Sequence, residues 1–319
     1  MRALVTGASG FIGGHVVAAL IESGAEVRAF DLRAPARDVE FVAGDVLDPE
    51  AVGRALDGCD AIFHLAAIYS YARADLSVME AVNVTGTRTV LEAAVRAGVR
   101  RFVHTSSCAT CGPVAGRRAT EADHPPASEL RVPYRRTKLD GERLALDAAR
   151  EGLDVVVVNP TVPVGPGDKR PTPTGKMIAD VAHGRARGYL ARSALNIVSV
   201  DDVARGNVLA YERGRPGERY LLGGEDMSIR EVFAEIARTA GRKPPLVGIP
   251  WSLAYVAALA AGAALGPFSR EPNLLLLDEV RSGRLPHRFD DSKARAELGY
   301  RSRPARQALA EATRAVLQP

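Results

Sequence analysis

The run Gly7-Ala8-Ser9-Gly10-Phe11-Ile12-Gly13 limits what this chain can fold into more than any other feature, because of where it lies. The apolar Ala3-Leu4-Val5-Thr6 before it reads as a buried strand, and residues 11–23, closed by Gly24, read as a helix. Glycines at such a turn let the backbone come close to a bound group, and the opening helix offers free N–H groups to negative charge. The last glycine lets helix and strand pack tightly. The spacing is GxxGxxG, so the heptad alone says little. Its position between strand and helix, with an acid 18 residues beyond Gly13, makes it a pyrophosphate cradle for a dinucleotide. That acid is Asp31, at the end of a second strand, where a carboxylate would accept hydrogen bonds from an adenosine ribose. A 2′-phosphate would meet a like charge there, which favours NAD; Arg33 leaves NADP open.

Strands and helices alternate through the first half with short turns marked by Gly and Asp, the pattern of a parallel sheet covered on both faces. The strands fall at 3–6, 26–31, 41–42, 61–65 and 101–105. Helices are expected over 49–56, over 76–97 (closed by Gly98) and over 133–150, with Gly152 at the end of the last. Val155-Val156-Val157-Val158 is a β-branched run that needs cover on both faces. After Asn159 the texture changes: Pro160, Pro163, Pro166, Pro171 and Pro173 mark a loop that leaves the sheet. The expected architecture is therefore an α/β, Rossmann-type doubly wound parallel sheet over residues 1–160, re-entered at about 196–213. A smaller C-terminal α/β substrate domain accounts for most of 161–319.

The net charge of +4 is spread along the chain, so there is no electrostatic footprint for nucleic acid. Three cysteines are too few for a disulfide framework, which fits a reducing compartment. Residues 1–7 read directly as strand and turn, with no leader before them, so the expected location is cytoplasmic. Residues 246–268 carry no charge, and Arg242, Lys243 and Arg270 flank them. Pro250, Pro267 and an Ala/Gly-rich interior speak against a membrane span. They favour a core or dimer helix, with peripheral membrane-surface contact as the second reading.

Tyr134 and Lys138 lie four apart on the expected 133–150 helix, hence on one face. A free phenol titrates near ~10 and is a poor proton acceptor at neutral pH; a neighbouring ammonium would stabilise the phenolate. The same ammonium could hold a nicotinamide ribose. Ser107 follows a buried strand at the sheet edge where ligands bind in such folds, and could hold the oxygen that exchanges the proton. Gly44-Asp45-Val46 follows the third strand and could flank an adenine. Cys108 and Cys111 form a CxxC whose bland reading is space-filling. His15, His64 and His104 read as structural, no metal site is indicated, and no GxSxG elbow surrounds Ser107.

Taken together, Gly7 to Gly13, His64-Leu65-Ala66-Ala67, Asn83-Val84-Thr85-Gly86-Thr87, Thr105-Ser106-Ser107, Tyr134 to Lys138 and Val200-Asp201-Asp202-Val203-Ala204 resemble the extended short-chain dehydrogenase/reductases. That group holds NAD-dependent epimerases, dehydratases and dihydroflavonol-type reductases. Within it the chain is most similar to hopanoid-associated sugar epimerases, on Asn159-Pro160-Thr161-Val162-Pro163-Val164-Gly165-Pro166 and on residues 171–175 and 217–225. The resemblance implies that Ser107, Tyr134 and Lys138 are catalytic. It implies that Gly7, Gly10, Phe11, Ile12, Gly13, Asp31, Arg33, Asp45, Val46, Leu65, Ala66, Ala67, Asn83, Tyr134, Lys138, Pro160 and Val162 serve NAD(P). A homodimer through the helices at about 76–97 and 133–150 is implied as well.

Nucleotide-sugar epimerases usually carry Asn where this chain has Val162, Tyr where it has Cys111, and His where Ser199-Val200 precede the Asp pair. The Asn-Pro-Thr run is closer to reductases of flavonoid- or steroid-like carbonyls. The expected chemistry is hydride transfer at a hydroxyl or carbonyl carbon of a small-molecule substrate. That substrate is a sugar derivative, with epimerisation linked to hopanoid metabolism, or a lipid-like carbonyl or alcohol. A cofactor-sensing protein without turnover is the alternative from another class; an intact Ser/Tyr/Lys set argues against it.

Overall fold

In the computed structural model, which describes residues 1–71, 75–265 and 277–318, Val155, Val156, Val157 and Val158 are all fully buried. Val156 and Val158 join one core layer with Ala3, Val5, Ala61 and Phe63; Val155 and Val157 join the other with Leu4 and Ile62. This is the period-two alternation of strands with apolar cover on both faces.

The strands are β1 (Arg2–Thr6), β2 (Glu26–Asp31), β3 (Glu40–Ala43), β4 (Ala61–His64), β5 (Arg101–Thr105), β6 (Val155–Pro160), β7 (Val162–Val164), β8 (Tyr189–Leu190), β9 (Ala194–Ser199), β10 (Arg219–Leu222), β11 (Glu225–Ser228) and β12 (Gly248–Ile249). The helices are α1 (Phe11–Glu22), α2 (Pro49–Leu56), α3 (Leu76–Glu80), α4 (Thr87–Ala97), α5 (Pro133–Arg150), α6 (Pro173–Ala182), α7 (Val200–Arg213), α8 (Ile229–Thr239), α9 (Trp251–Leu265), α10 (Leu277–Ser282), α11 (Ser292–Leu298) and α12 (Ala305–Leu317).

Seven strands form one sheet in the order β10-β6-β5-β4-β1-β2-β3, every neighbouring pair parallel. The strand order reverses between β1 and β4, and the crevice at their C-terminal ends is where ligands bind in such sheets. Helices α1 and α7 cover one face, α2, α4 and α5 the other. The edge strand β10, reached from α7, is an element the sequence reading did not contain.

A second layer stands beyond the C-terminal edge. There β11, β9 and β7 form a small sheet packed by α6, α8 and α12 around Ile197, Val232, Ile236 and Leu309.

The helix read as continuous over 76–97 is interrupted. A π-helical turn, Ala81–Gly86, joins α3 to α4, and π turns of this kind often sit at functional sites. Packing explains the small residues around it. A Cβ on Gly86 would lie 2.7 Å from Val46, and one on Gly141 would lie 2.5 Å from the Asn83 carbonyl.

The apolar stretch at 246–268 forms β12 and α9; residues 266–268 and the flanking Arg270 lie outside the described residues. Ala254 and Ala258 bury one face of α9 against Val280. The core-helix expectation holds for that face alone. Among the described residues, no helix is long and apolar enough to cross a membrane.

Candidate active site

A cavity lies where β1, β4, β5 and β6 end. Its floor is backbone: Gly7, Gly10, Phe11, Ile12 and Gly13 line it together with Leu65 and Ala67. Gly7 has φ +70°, and a Cβ there would sit 2.7 Å from the Ala66 nitrogen. A Cβ on Gly13 would fall 2.0 Å from the Gly7 carbonyl oxygen. Only glycine permits this approach of turn, helix and neighbouring loop. Gly10 opens α1 with no side-chain cap, so the first N–H groups of the helix face the cavity without an internal acceptor. An anion-holding floor of this kind fits the pyrophosphate of a dinucleotide. Asp31 braces the same turn, its Oδ2 accepting from the Ser9 N–H at 3.0 Å.

Ser107, Tyr134 and Lys138 meet at the far wall of this cavity with Pro160 and Val162. Ser107 leaves β5 and caps a short helical turn, accepting from the Ala109 N–H at 3.2 Å. Burial pushes the Tyr134 phenol well above its ordinary range, and a hydrogen bond from Ser107 works against that shift. Burial also pulls the Lys138 ammonium down to about 8, with Glu142 opposing. Its Nζ donates to the Thr105 carbonyl at 2.9 Å. Ser107 and the nearby Arg135 guanidinium both ease Tyr134 ionisation against that burial. Lys138, the expected ammonium partner of that phenol, is held one helical turn away with its Nζ on the backbone of β5.

A buried polar frame holds these groups. Glu142, one turn beyond Lys138 on α5, is fully buried. It accepts from Thr110 Oγ1 (2.7 Å), Asn159 Nδ2 (2.6 Å) and Arg219 Nη1 (2.8 Å). Asn159 in turn donates to the Ser107 carbonyl at 3.1 Å. Asn83, turned inward by the π-helical segment, pairs with the Ile68 N–H (2.8 Å), the Ile68 carbonyl (3.0 Å) and Thr137 Oγ1 (3.0 Å). It ties the loop after β4 to the residue beside Lys138. His64 sits between Thr6 Oγ1 (2.7 Å) and Thr87 Oγ1 (3.0 Å), and burial drops it to about 3, so it stays neutral. Sequence reasoning missed Glu142, although its i+4 spacing from Lys138 places it on the same helix face.

It also missed the substrate end. Tyr69, Tyr71, Arg135, Thr172, Thr174, Ser282 and His287 also line the cavity. The Tyr69 ring lies 4.2 Å from that of Tyr134, and its hydroxyl is 3.0 Å from the Tyr71 hydroxyl. Arg135 is buried and fully engaged. It pairs with Glu129 (3.3 Å) and donates to the Gly112 carbonyl (3.0 Å) and to Ser282 Oγ (2.8 Å), with His287 Nε2 at 3.0 Å. These residues come from segments far apart in the chain, and no local pattern announces them.

Six residues named for the cofactor do not line the cavity: Asp31, Arg33, Asp45, Val46, Ala66 and Asn83. Asp45 accepts from the Leu47 N–H at 3.0 Å, a turn contact. Val46 is packed against the helix at Gly86, and Arg33 is exposed. Ala66 donates its N–H to Thr6 Oγ1 at 3.3 Å. The CxxC thiols are buried and free; burial pushes Cys108 up to about 12 and Cys111 higher, away from the thiolate that redox chemistry needs.

The family model described as NAD dependent epimerase/dehydratase matches residues 3–223. The chain belongs to that family. Its members are enzymes that work with NAD, which agrees with the glycine floor described above. A Synechocystis protein provisionally named dihydroflavonol 4-reductase is 37% identical, covering 97% of this chain and 92% of its own. Sterol demethylase protein B of Methylococcus capsulatus is 36% identical, covering 98% and 97%. The structure of the dTDP-glucose 4,6-dehydratase DesIV of Streptomyces venezuelae, a double mutant with NAD bound, is 27% identical. It superposes with a TM-score of 0.80 over 100% of this chain and 97% of that one.

Proposed function

We propose that this enzyme reduces the carbonyl of an uncharged, lipid-like substrate, or oxidises the corresponding alcohol, with NAD as hydride carrier. The observation that carries this reading is the state of the cations in the cavity wall. Among the described lining residues these are Arg135 and Lys138, and both are buried and spoken for. A nucleotide sugar brings a pyrophosphate of its own, and a buried anion without a free cation or donor pays a heavy desolvation cost. Tyr69, Tyr71, Cys108, Val162 and Pro163 instead offer an apolar wall. The names of the two sequence relatives, a dihydroflavonol reductase and a sterol-processing protein, agree with it.

NAD, when bound, supplies or accepts the hydride. Gly7, Gly10, Phe11, Ile12 and Gly13 would hold its pyrophosphate and Asp31 its adenosine ribose, with Pro160 and Val162 near the nicotinamide end. Tyr134 is kept protonated by burial, which suits it to donate its proton to the carbonyl oxygen during reduction. Ser107 holds that same oxygen and stabilises the phenolate left behind. Lys138, anchored on Thr105, fixes the pitch of α5 at the reacting end and stands beside the ribose. Asn83 and Glu142 act through these residues by positioning them.

Sugar epimerisation linked to hopanoid metabolism, the second reading, uses the same three side chains and is supported by the residues at 159–166. It requires the substrate to be held without a nucleotide. We further place the enzyme in the cytoplasm as a homodimer. The pairing would run through the 76–97 segment (α3 and α4) and α5, a reading supported by the exposed Val78 on α3 and Val95 on α4.

The deciding experiment follows NADH absorbance with a panel of flavanone, steroid and long-chain ketones. Stoichiometric NADH oxidation supports the reductase. Tightly retained NAD that returns to its starting state each cycle, with a sugar as substrate, would replace this reading by the epimerase one.

A further inference from the structure

The outer side of α9 is chemically unlike the rest of the described surface. Leu246 is 84% exposed, Val247 59%, Leu253 and Val256 61% each, and Leu259 44%. These are five of the thirteen large hydrophobic side chains exposed anywhere among the described residues, gathered within fourteen positions. Ser252, Ala257 and Ala260 complete the exposed side. The helix sequence itself carries no charge from end to end.

A surface helix ordinarily pairs one apolar stripe with a polar face. Here the stripe is already used: Ala254 and Ala258 pack on Val280, and Trp251 Nε1 donates to the Val280 carbonyl at 2.7 Å. What remains exposed is a second, largely apolar face on which no described side chain is charged and Ser252 alone is polar. Its fifteen described residues fall short of the about 20 that a bilayer span needs.

Cations border this face on one side. Arg242 and Lys243 are exposed just before Leu246. Arg187 is exposed one position before Gly188, whose Cβ would lie 2.9 Å from the Val247 carbonyl, so it belongs to the same rim. None of the three has an ion-pair partner among the described residues. Two of the acids nearby are already engaged: Asp180 with Arg185 at 2.8 Å, and Asp278 with Arg281 at 2.8 Å. Glu279 is the exposed acid of α10. An exposed apolar face with an unpaired cationic border is complementary to a surface that is apolar just beneath a layer of negative charge. That description fits an anionic lipid bilayer.

We propose that α9, with Leu246 and Val247, is a monotopic docking face for anionic membranes, seated in the headgroup boundary with Arg187, Arg242 and Lys243 among the lipid phosphates. The same packing brings the membrane close to the cavity, since Ser282 ends α10 and lines it. Docking itself does not depend on the reductase reading, and the assay below uses no substrate.

The test is co-sedimentation of the full chain with vesicles of phosphatidylcholine alone and of phosphatidylcholine with 30% phosphatidylglycerol. The expected result is binding to the anionic vesicles at least tenfold tighter than to the neutral ones. L253S/V256S should reduce it more than tenfold with an unchanged melting temperature, since both side chains are exposed. R242S/K243S should bring anionic and neutral binding together. Absence of binding to anionic vesicles would overturn the proposal, as would binding that L253S/V256S leaves intact. A dimer seen by sedimentation velocity that L253S/V256S dissociates, without vesicle binding, would assign the face to a second copy of the chain instead.

Discussion

The two sides of the cavity are built by different means. The cofactor side is made of backbone: three glycines, a helix N-terminus and a turn braced by Asp31, all within residues 7–31. The substrate side is made of side chains delivered from the loop after β4, from α5, from the segment after β6 and from residues 282 and 287. A backbone site tolerates almost no substitution at its glycines, because the space is filled by main-chain atoms. A side-chain site can be altered residue by residue while its frame stands. The contrast explains how one fold keeps a cofactor and changes its substrate.

The sharpest break between the two sides should come from Tyr134→Phe. Turnover is expected to fall about 10²–10⁴-fold, the range of general acid catalysis, while the NAD dissociation constant measured by calorimetry stays within about twofold. A variant that lost NAD binding equally would merge the two sides into one.

Gly13→Val attacks the other side. The added Cβ has no room beside the Gly7 carbonyl, so a loss of about 3 kcal/mol or more is expected. NAD should no longer raise the melting temperature. If NAD still protected the variant, the backbone floor would not be its site.

Lys138 sits at the junction and sets stability against activity. Its folded pKa, about 8, lies below the ordinary lysine value of 10.5. The folded state therefore releases the proton more readily. The penalty is full below pH 8 and is relieved as pH climbs from 8 toward 10.5. Activity that needs the ammonium should decline above pH 8 over the window in which this contribution to stability improves. Lys138→Met should melt higher than the parent at pH 7 and show little turnover. A lower melting temperature would mean that the Thr105 hydrogen bond outweighs the desolvation.

The smallest effect concerns the wall alone. Val162→Asn is expected to raise KM for an apolar ketone about tenfold, consistent with 1–3 kcal/mol for a pocket contact, with kcat changed less. An unchanged KM would move the substrate away from this wall.

Legibility in the sequence followed the same division. The alternating strands, the 133–150 helix and the glycine turn were readable because each is local and periodic: Val155 to Val158 carry their two-sided burial in four consecutive letters. The Tyr134/Lys138 pair was readable from its helical spacing. Tyr69, Tyr71, Ser282 and His287 were not, since only tertiary packing brings them together. The π turn was invisible because the close contacts around it, Gly86 against Val46 and Gly141 against the Asn83 carbonyl, join residues far apart in the chain. Asp45 and Val46 are expected beside an adenine from their position after a strand, and the structure adds a turn contact for the first and a packing contact for the second.

One feature of the chain path reaches beyond the site. After β6 the chain passes to the smaller layer, comes back as α7 and β10, departs again through β11, returns as α11 and leaves a last time as α12. Neither lobe is a contiguous stretch that could be cut out or grafted elsewhere. Each threads its polypeptide through the other, so disorder in one removes strands or helices from both. Calorimetry is therefore expected to show the two lobes melting together, and two separated transitions would count against this coupling. The substrate lobe could then have diverged only in place, by changing side chains, and not by exchange of a module.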